Sequence, residues 1–260
     1  MHDENKFLDD QGRLQQWPSK QTDKLLVLAY IATKFDRNST YSEERVNVLL
    51  KQWHTFNDWP LLRRELVDRG FIDRNLDGTN YQLRRIETLL PDLLLVGPNI
   101  QKDPEVAVYW LDGAAGRETL RLMGNIDEHN KPSSVKAERE RVRNFITSTD
   151  QRTWMLNYHG KAVGVIWVNL KSNENLQAPS IHLMIGDPGS RGLGIGHASV
   201  RAVINLLREE GNYQMLYSRH LTQNKGSAKL LAKVGFTEDG AVYHDADGLA
   251  FQNVKLKLHK

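Results

Sequence analysis

Residues 180–210 run from a short β-branched segment, Ser180–Ile185, through Arg191-Gly192-Leu193-Gly194-Ile195-Gly196 into an apolar-periodic stretch ending at Glu210. No other part of the chain restricts the fold as much. The first segment reads as a strand, the last as a helix over Ile195–Glu210, and glycines punctuate the turn between them. A helix N-terminus exposes unpaired N–H groups and partial positive charge, so such a turn is suited to phosphate. Glycine lets the backbone take positive φ and approach an anion closely. Amides curved around a diphosphate supply several charge-assisted hydrogen bonds. Two familiar phosphate loops fail on detail. A Walker loop ends in Gly-Lys-Ser/Thr, whereas Gly196 is followed by His197 and Ala198. A Rossmann fingerprint follows the first strand of its domain with a different glycine spacing, and these glycines come late. On the hexapeptide alone, a glycine-rich turn without a ligand stays open.

A second element narrows the reading. Tyr217-Ser218-Arg219-His220-Leu221-Thr222 precedes Asn224-Lys225-Gly226-Ser227, which opens a helix that closes before Gly235-Phe236. R-x-x-G-x-G, then N-x-x-S, then G-F, in this order, resembles the GNAT N-acetyltransferase superfamily. With Ile185-Gly186-Asp187-Pro188 in front, it looks most like the branch of ribosomal-protein N-terminal and small-amine acetyltransferases. The resemblance covers residues 95–260 and is strongest over 181–240. It implies an acyltransferase that uses acetyl-CoA, with the amides of Arg191, Gly192, Leu193, Gly194, Ile195 and Gly196 on the pyrophosphate. It also implies that Met184, Ile185 and Gly186, at the edge of a splayed strand, meet the pantetheine arm. Asn224 would contact that arm, and Ser227 would lie near the sulfur.

Acetyl transfer to an amine needs a base, because an alkylammonium of pKa about 10.4 has no lone pair. It needs an oxyanion donor, most simply a strand N–H, and a proton donor or helix N-terminus for the leaving thiolate. Many family members carry a tyrosine acid where this chain has Leu231, so Ser227 is the expected acid, with helix capping as its plainer role. Asn224 is open to the same plainer role. His182 and His220, on neighbouring strands, are the expected bases, and Tyr217 is comparable. Glu138 and Glu140 lie on a densely charged helix that reads as a solvated face, although a cationic amine could meet them there. Trp154 and Trp167 read as sheet core.

The expected fold class is α+β: a GNAT-type mixed central sheet flanked by helices, preceded by a small winged-helix-like domain. Residues 1–20 read as a polar arm, 21–90 as the accessory domain and 95–260 as the acetyltransferase domain, with a junction near Pro91–Pro98. Helices are predicted at Asp23–Phe35, after Ser42, and from Asp58 to a stop at Gly70. A hairpin follows around Asp77-Gly78. This segment resembles a bacterial domain family of unknown function found beside regulator-like proteins. In the second half, Glu105–Leu111 is predicted as a strand, Gly116–Met123 and Ser134–Ile146 as helices. Strands follow at Thr153–Tyr158, Ala162–Leu170 and Gln214–Leu221, then a helix at Lys225–Val234 and a closing hairpin over Gly240–Leu258.

Charge bears on the first domain. Residues 1–100 carry 14 Lys and Arg against 15 Asp and Glu, and a domain that grips DNA usually shows a basic excess. Arg63, Arg64 and Arg69 on the third helix are interrupted by Glu65 and Asp68. A protein-interaction or substrate-gating role is therefore favoured over DNA binding. The chain has no cysteine, which excludes disulfides and thiolate sites. No metal site, membrane span or secretory leader is expected, and a cytoplasmic home fits. The function read is transfer of acetyl from acetyl-CoA to a primary amine in a ternary complex. The alternative is an acetyl-CoA-sensing regulator whose first domain binds DNA or a protein partner.

Overall fold

A computed structural model describes residues 4–37, 39–126 and 133–259. The chain forms two compact units. The first holds residues 4–85 with the segments 96–103 and 139–147; the second holds the remaining described residues.

In the first unit, α1 (Gln21–Ala32), β1 (Tyr41–Ser42), α2 (Glu43–Gln52), α3 (Trp59–Asp68), β2 (Ile72–Arg74) and β3 (Asn80–Leu83) follow one another. The sheet order is β1-β3-β2, with both pairs antiparallel. The three expected helices and the hairpin are present. Ser42 accepts the Arg45 N–H and caps α2, and Asp58 accepts the Leu61 N–H and caps α3. Each such cap stabilises by about 1 kcal/mol. Val46, Leu50, Leu62, Leu66, Ile72 and Tyr81 close the core. The first described residues are not loose, as the arm reading had them. Phe7 and Leu14 are buried, and buried Glu4 pairs with Arg143 at 3.0 Å. Isolated apolar residues among polar ones leave no periodicity from which such packing could be read.

The second unit is built on a mixed sheet. β4 (Arg85–Glu87) and β5 (Leu93–Val96) come first, where no strand was expected. α4 (Asp103–Leu111), α5 (Gly113–Leu122) and α6 (Val135–Thr147), whose residues 139–147 belong to the first unit, follow in the chain, then β6 (Gln151–Tyr158), β7 (Lys161–Asn169) and β8 (Ser180–Ile185). α7 (Ile195–Glu210), β9 (Met215–Leu221), α8 (Lys225–Lys233), β10 (Thr237–Glu238), β11 (Tyr243–His244) and β12 (Ala250–Lys257) complete it. The order across the sheet is β10-β12-β9-β8-β7-β6-β5-β4, with β11 on β12. β8 and β9 run parallel, while β6–β7, β7–β8 and β9–β12 are antiparallel.

The strand expected over Glu105–Leu111 is helix α4 instead. Its β-branched and aromatic composition suggested a strand, but tertiary packing overrides that preference. Trp110 is buried, its ring 2.3 Å from where a Cβ on Gly186 would stand. α7 buries Ile195, Val200, Val203, Ile204 and Leu207 against the sheet. Each such side chain contributes about 1.5–3 kcal/mol, so this helix is firmly seated on β8 and β9.

Candidate active site

β8 and β9 are joined only at their base. Ser180 pairs with Tyr217, and the Tyr217 N–H donates to the Pro179 carbonyl at 2.9 Å. One step further the Ser218 hydroxyl, rather than a strand amide, donates to the Ile181 carbonyl at 2.8 Å. Beyond that the two strands carry no ladder between them, although β8 stays paired to β7 through Ile185 and β9 to β12 through Leu221. The sheet therefore opens as a V. Strand alternation turns the main-chain groups of Leu183 and Ile185 toward the opening, as it does those of Ile181. Met184 faces the other way, with its carbonyl against Gly164 of β7.

The turn after β8 leads into α7 with a helix start of unusual form. Gly192 and Gly194 sit at φ +78° and +84°, a left-handed backbone that other residues adopt only with strain. Gly194 is the N-cap and offers no side chain to the helix. Among the described residues the N–H groups of Gly192 through His197 find no acceptor, and the first bond of the helix runs from Ala198 to the Gly194 carbonyl. These amides form the positive pole of a sixteen-residue helix. That is the chemistry of an anion seat, and the residues present suit a diphosphate. The Arg191 side chain does not share in it. Its guanidinium turns inward and donates to Thr119 Oγ1 at 2.6 Å and to the Ile185 carbonyl at 3.3 Å, fixing the turn to α5 and to the end of β8.

A cavity of about 680 Å³ occupies the V. Of the residues expected in the site, His182, Met184, Ile185, Arg191, Gly192, Gly194, Ile195, Gly196, His220, Asn224 and Ser227 all line it. Gly186 and Leu193 do not: the Gly186 N–H donates to Val163, and Leu193 projects outward. Tyr217 is also absent from the lining. Glu138 and Glu140 lie elsewhere, and Glu138 is buried with Ser133 as a hydrogen-bond donor, so it is not part of a solvated face. Trp167 is not core but cavity wall, stacked on His182 with ring centroids 5.2 Å apart. Leu231 is buried in the core.

The polar groups divide into engaged and free. Asn224 caps α8 by accepting the Ser227 N–H at 3.0 Å and donates to the Leu122 carbonyl at 3.1 Å, so both ends of its amide are occupied. The Ser227 hydroxyl meets no protein partner among the described residues. The two histidines differ. His182 Nε2 accepts from Asn169 Nδ2 at 3.2 Å and lies 3.1 Å from Ser180 Oγ. Burial, reinforced by the positive charge of Arg219, pushes its pKa down to about 4. It is neutral at pH 7 and weakly basic. His220 donates from Nδ1 to the Leu221 carbonyl at 2.9 Å, which leaves the Nε2 lone pair without a partner among the described residues. Sequence reading missed Leu183, Thr119, Asn169 and Arg219. Alternation along β8 could have found Leu183; Thr119 and Asn169 come from other elements, and Arg219 stands beside His220 on β9 with no motif to single it out.

An open strand pair beside an uncapped helix start suits a long, thin ligand with a diphosphate at one end. The class it defines is the acyltransferases that take acetyl-CoA as cosubstrate. A family model described as an acetyltransferase (GNAT) domain matches residues 84–237, more than half of the chain, and the chain belongs to that family. A second model, for an uncharacterized protein conserved in bacteria (DUF2087), matches residues 13–83. No curated protein matches in sequence. Among solved structures, RimL, a ribosomal L7/L12 alpha-N-protein acetyltransferase in complex with coenzyme A, is similar at 17% identity. It covers 67% of this chain and 98% of its own, with a TM-score of 0.56. The microcin C7 self-immunity acetyltransferase MccE, in complex with acetyl-CoA and AMP, is similar at 15% identity over 65% of this chain and 93% of its own, with a TM-score of 0.54. The spermidine N-acetyltransferase of Vibrio cholerae, in complex with CoA and spermine, is similar at 13% identity over 65% and 97%, with a TM-score of 0.52. At these identities the likeness is one of fold. Among the described residues no helix is long and apolar enough to cross a membrane, and no three or more His, Asp or Glu side chains gather as metal ligands.

Proposed function

We propose that the chain transfers acetyl from acetyl-CoA to a primary amine by direct attack in a ternary complex. Residues 95–260 would form the catalytic domain and 21–90 an accessory domain. The reading rests on the unpartnered amides of Gly192 through His197 beside the open edge of β8. Those amides bind the diphosphate, and the Leu183 and Ile185 edge pairs with the pantetheine arm. Acetyl-CoA, when bound, supplies an activated acyl carbon at the mouth of the V. A free N–H at that edge donates to the carbonyl oxygen as it gains charge.

The His220 Nε2 lone pair takes the amine's proton, because the Leu221 carbonyl fixes the tautomer that leaves it free. His182, with Nε2 already engaged and its basicity suppressed, serves as a neutral wall. The Ser227 hydroxyl donates toward the sulfur. Asn224 holds Ser227 in place through the α8 cap.

For the accessory domain we favour a protein partner over duplex DNA. Arg63 pairs with Glu43 at 2.7 Å and Arg69 with Glu65 at 2.6 Å, so two of the three α3 arginines are neutralised within the domain.

Release of the CoA thiol by the full-length protein, measured with a panel of primary amines, tests the transfer. His220→Gln is expected to lower kcat/KM by about 10²- to 10³-fold while acetyl-CoA affinity stays within about twofold. An equal loss in His182→Gln with none in His220→Gln would reverse the assignment of the base. Acetyl-CoA binding with no release on any amine would overturn the enzymatic reading.

A further inference from the structure

Among the described residues the fixed charge lining the cavity is of one sign. Among the described residues no Asp or Glu lines the cavity. Its two arginines are in different states. Arg191 is spent on Thr119 and the end of β8. Arg219 of β9 lies with its guanidinium carbon 4.5 Å from the Phe251 ring centroid and donates from Nη1 to the Tyr243 hydroxyl at 3.0 Å. These contacts fix its plane but supply no negative charge. No carboxylate among the described residues pairs with it, in contrast to Arg152, whose two Nη groups meet Glu210 at 2.7 and 2.8 Å. A guanidinium has five N–H donors in a rigid fork matched to carboxylate and phosphate, so several of the Arg219 donors remain open. Also on the wall are His182, stacked on Trp167, and Asn169 beside it.

Resting on the acetyl-transfer reading above, we infer that the acceptor is a primary amine that also carries an anionic group, a carboxylate or a phosphate, held by Arg219. A polyamine would bring a second ammonium to a wall that has no carboxylate to receive it and already holds a cation, so like charges would oppose its binding. A neutral alkylamine would leave the Arg219 donors unanswered. An aminocarboxylate or aminoalkyl phosphate answers them with a charge-assisted contact in which two oxygens match the guanidinium fork. Arg219 is then the residue that selects the acceptor, while His220 and Ser227 carry the proton transfers.

The test uses the full-length protein, acetyl-CoA and four small amines: propylamine, 3-aminopropanoate, 2-aminoethyl phosphate and 1,3-diaminopropane. At least one of the two anionic amines is expected to exceed propylamine in kcat/KM by about tenfold or more. 1,3-Diaminopropane is expected to be the poorest. Whichever anionic amine leads identifies the carboxylate or the phosphate as the group recognised. Arg219→Gln is expected to abolish that lead, chiefly through KM. Arg219→Lys should keep part of it. If propylamine or 1,3-diaminopropane matches or exceeds both anionic amines, or Arg219→Gln lowers all four equally, the inference falls and acetyl transfer stands. If acetyl-CoA binds but none of the four amines releases thiol, the transfer reading falls and the inference with it.

Discussion

α3 and α7 begin in opposite ways. At α3 the Asp58 carboxylate turns back to accept the Leu61 N–H, Pro60 occupies the first turn, and Arg63 and Arg69 find Glu43 and Glu65. On this helix Arg63, Glu65 and Arg69 have a local answer, and the exposed Arg64 and Asp68 face solvent. At α7 the cap is Gly194, and among the described residues the first-turn amides have no acceptor and Arg219, which lines the same cavity, has no counter-charge. An unanswered N–H costs little only where water or a ligand can reach it. A missing side-chain cap alone carries little, since α1 also begins without one at Lys20; at α7 it coincides with the left-handed Gly192 and Gly194 and the open edge of β8.

The sharpest attack on this contrast is Gly194→Asp. A Cβ at this position would meet nothing within 4 Å, so the variant is not a steric casualty, and Asp tolerates left-handed φ better than most residues. Its carboxylate would stand beside the amide run and oppose the diphosphate with like charge. Acetyl-CoA affinity, read by calorimetry, is expected to fall about a hundredfold, the loss of charge-assisted hydrogen bonds worth about 3 kcal/mol. The melting temperature should fall slightly, since φ +84° strains any residue but glycine, so affinity is read well below the transition. An unchanged affinity would remove the anion seat from α7.

The sequence made the α7 start legible because glycine is the residue that positive φ requires, and Arg191 to Gly196 carry both turn and helix in a few residues. Ser42 and Asp58 were legible as caps for the same local reason. What failed was nonlocal. Glu105–Leu111 has strand composition, yet Trp110 is called into a helix by its contact with Gly186. β5 hides in a run flanked by Pro91 and Pro98, and only its place in the sheet shows that Leu93 and Leu95 are buried. Trp167 looked like core because pattern alone cannot tell one packed face from a cavity wall. Arg219 carried no signal, since its meaning lies in a carboxylate that is missing around it.

The two units also differ in their buried titratable groups, and pH sharpens the contrast. In the second unit burial and Arg219 lower His182 to about 4 from 6.5. The unfolded chain therefore binds more protons between these values. Stability from this group is full above pH 6.5 and is lost as pH falls toward 4. In the first unit burial raises Asp103 from 3.8 to about 6, against the opposing pull of Arg37 at 3.9 Å and the Asn99 N–H at 2.5 Å. Here the folded chain binds the extra proton, so stability is greatest below pH 3.8 and falls as pH rises through 6. Hydrogen exchange corrected for intrinsic rates should thus show β7 and β8 amides gaining protection from pH 4 to 6. α1 amides should lose it. Each slope is bounded by about 1.4 kcal/mol per pH unit. His182→Gln should flatten the first slope alone and Asp103→Asn the second alone; slopes of the same sign in both units would break the contrast.

The smallest effect tests the other half of the opening comparison. Asp58→Ala removes the carboxylate that answers α3 and leaves the Leu61 N–H to water. Residues near this cap are exposed, so the loss is one ordinary cap, about 1 kcal/mol. The expected result is reduced protection of α3 amides by that amount and a small drop in the urea midpoint of the first unit. Acetyl-CoA affinity should be unchanged, because Asp58 has no part in the cavity. If Asp58→Ala weakened acetyl-CoA as strongly as Gly194→Asp, both losses would reflect a general failure of the fold. The bare start of α7 would then carry no more meaning than the capped start of α3.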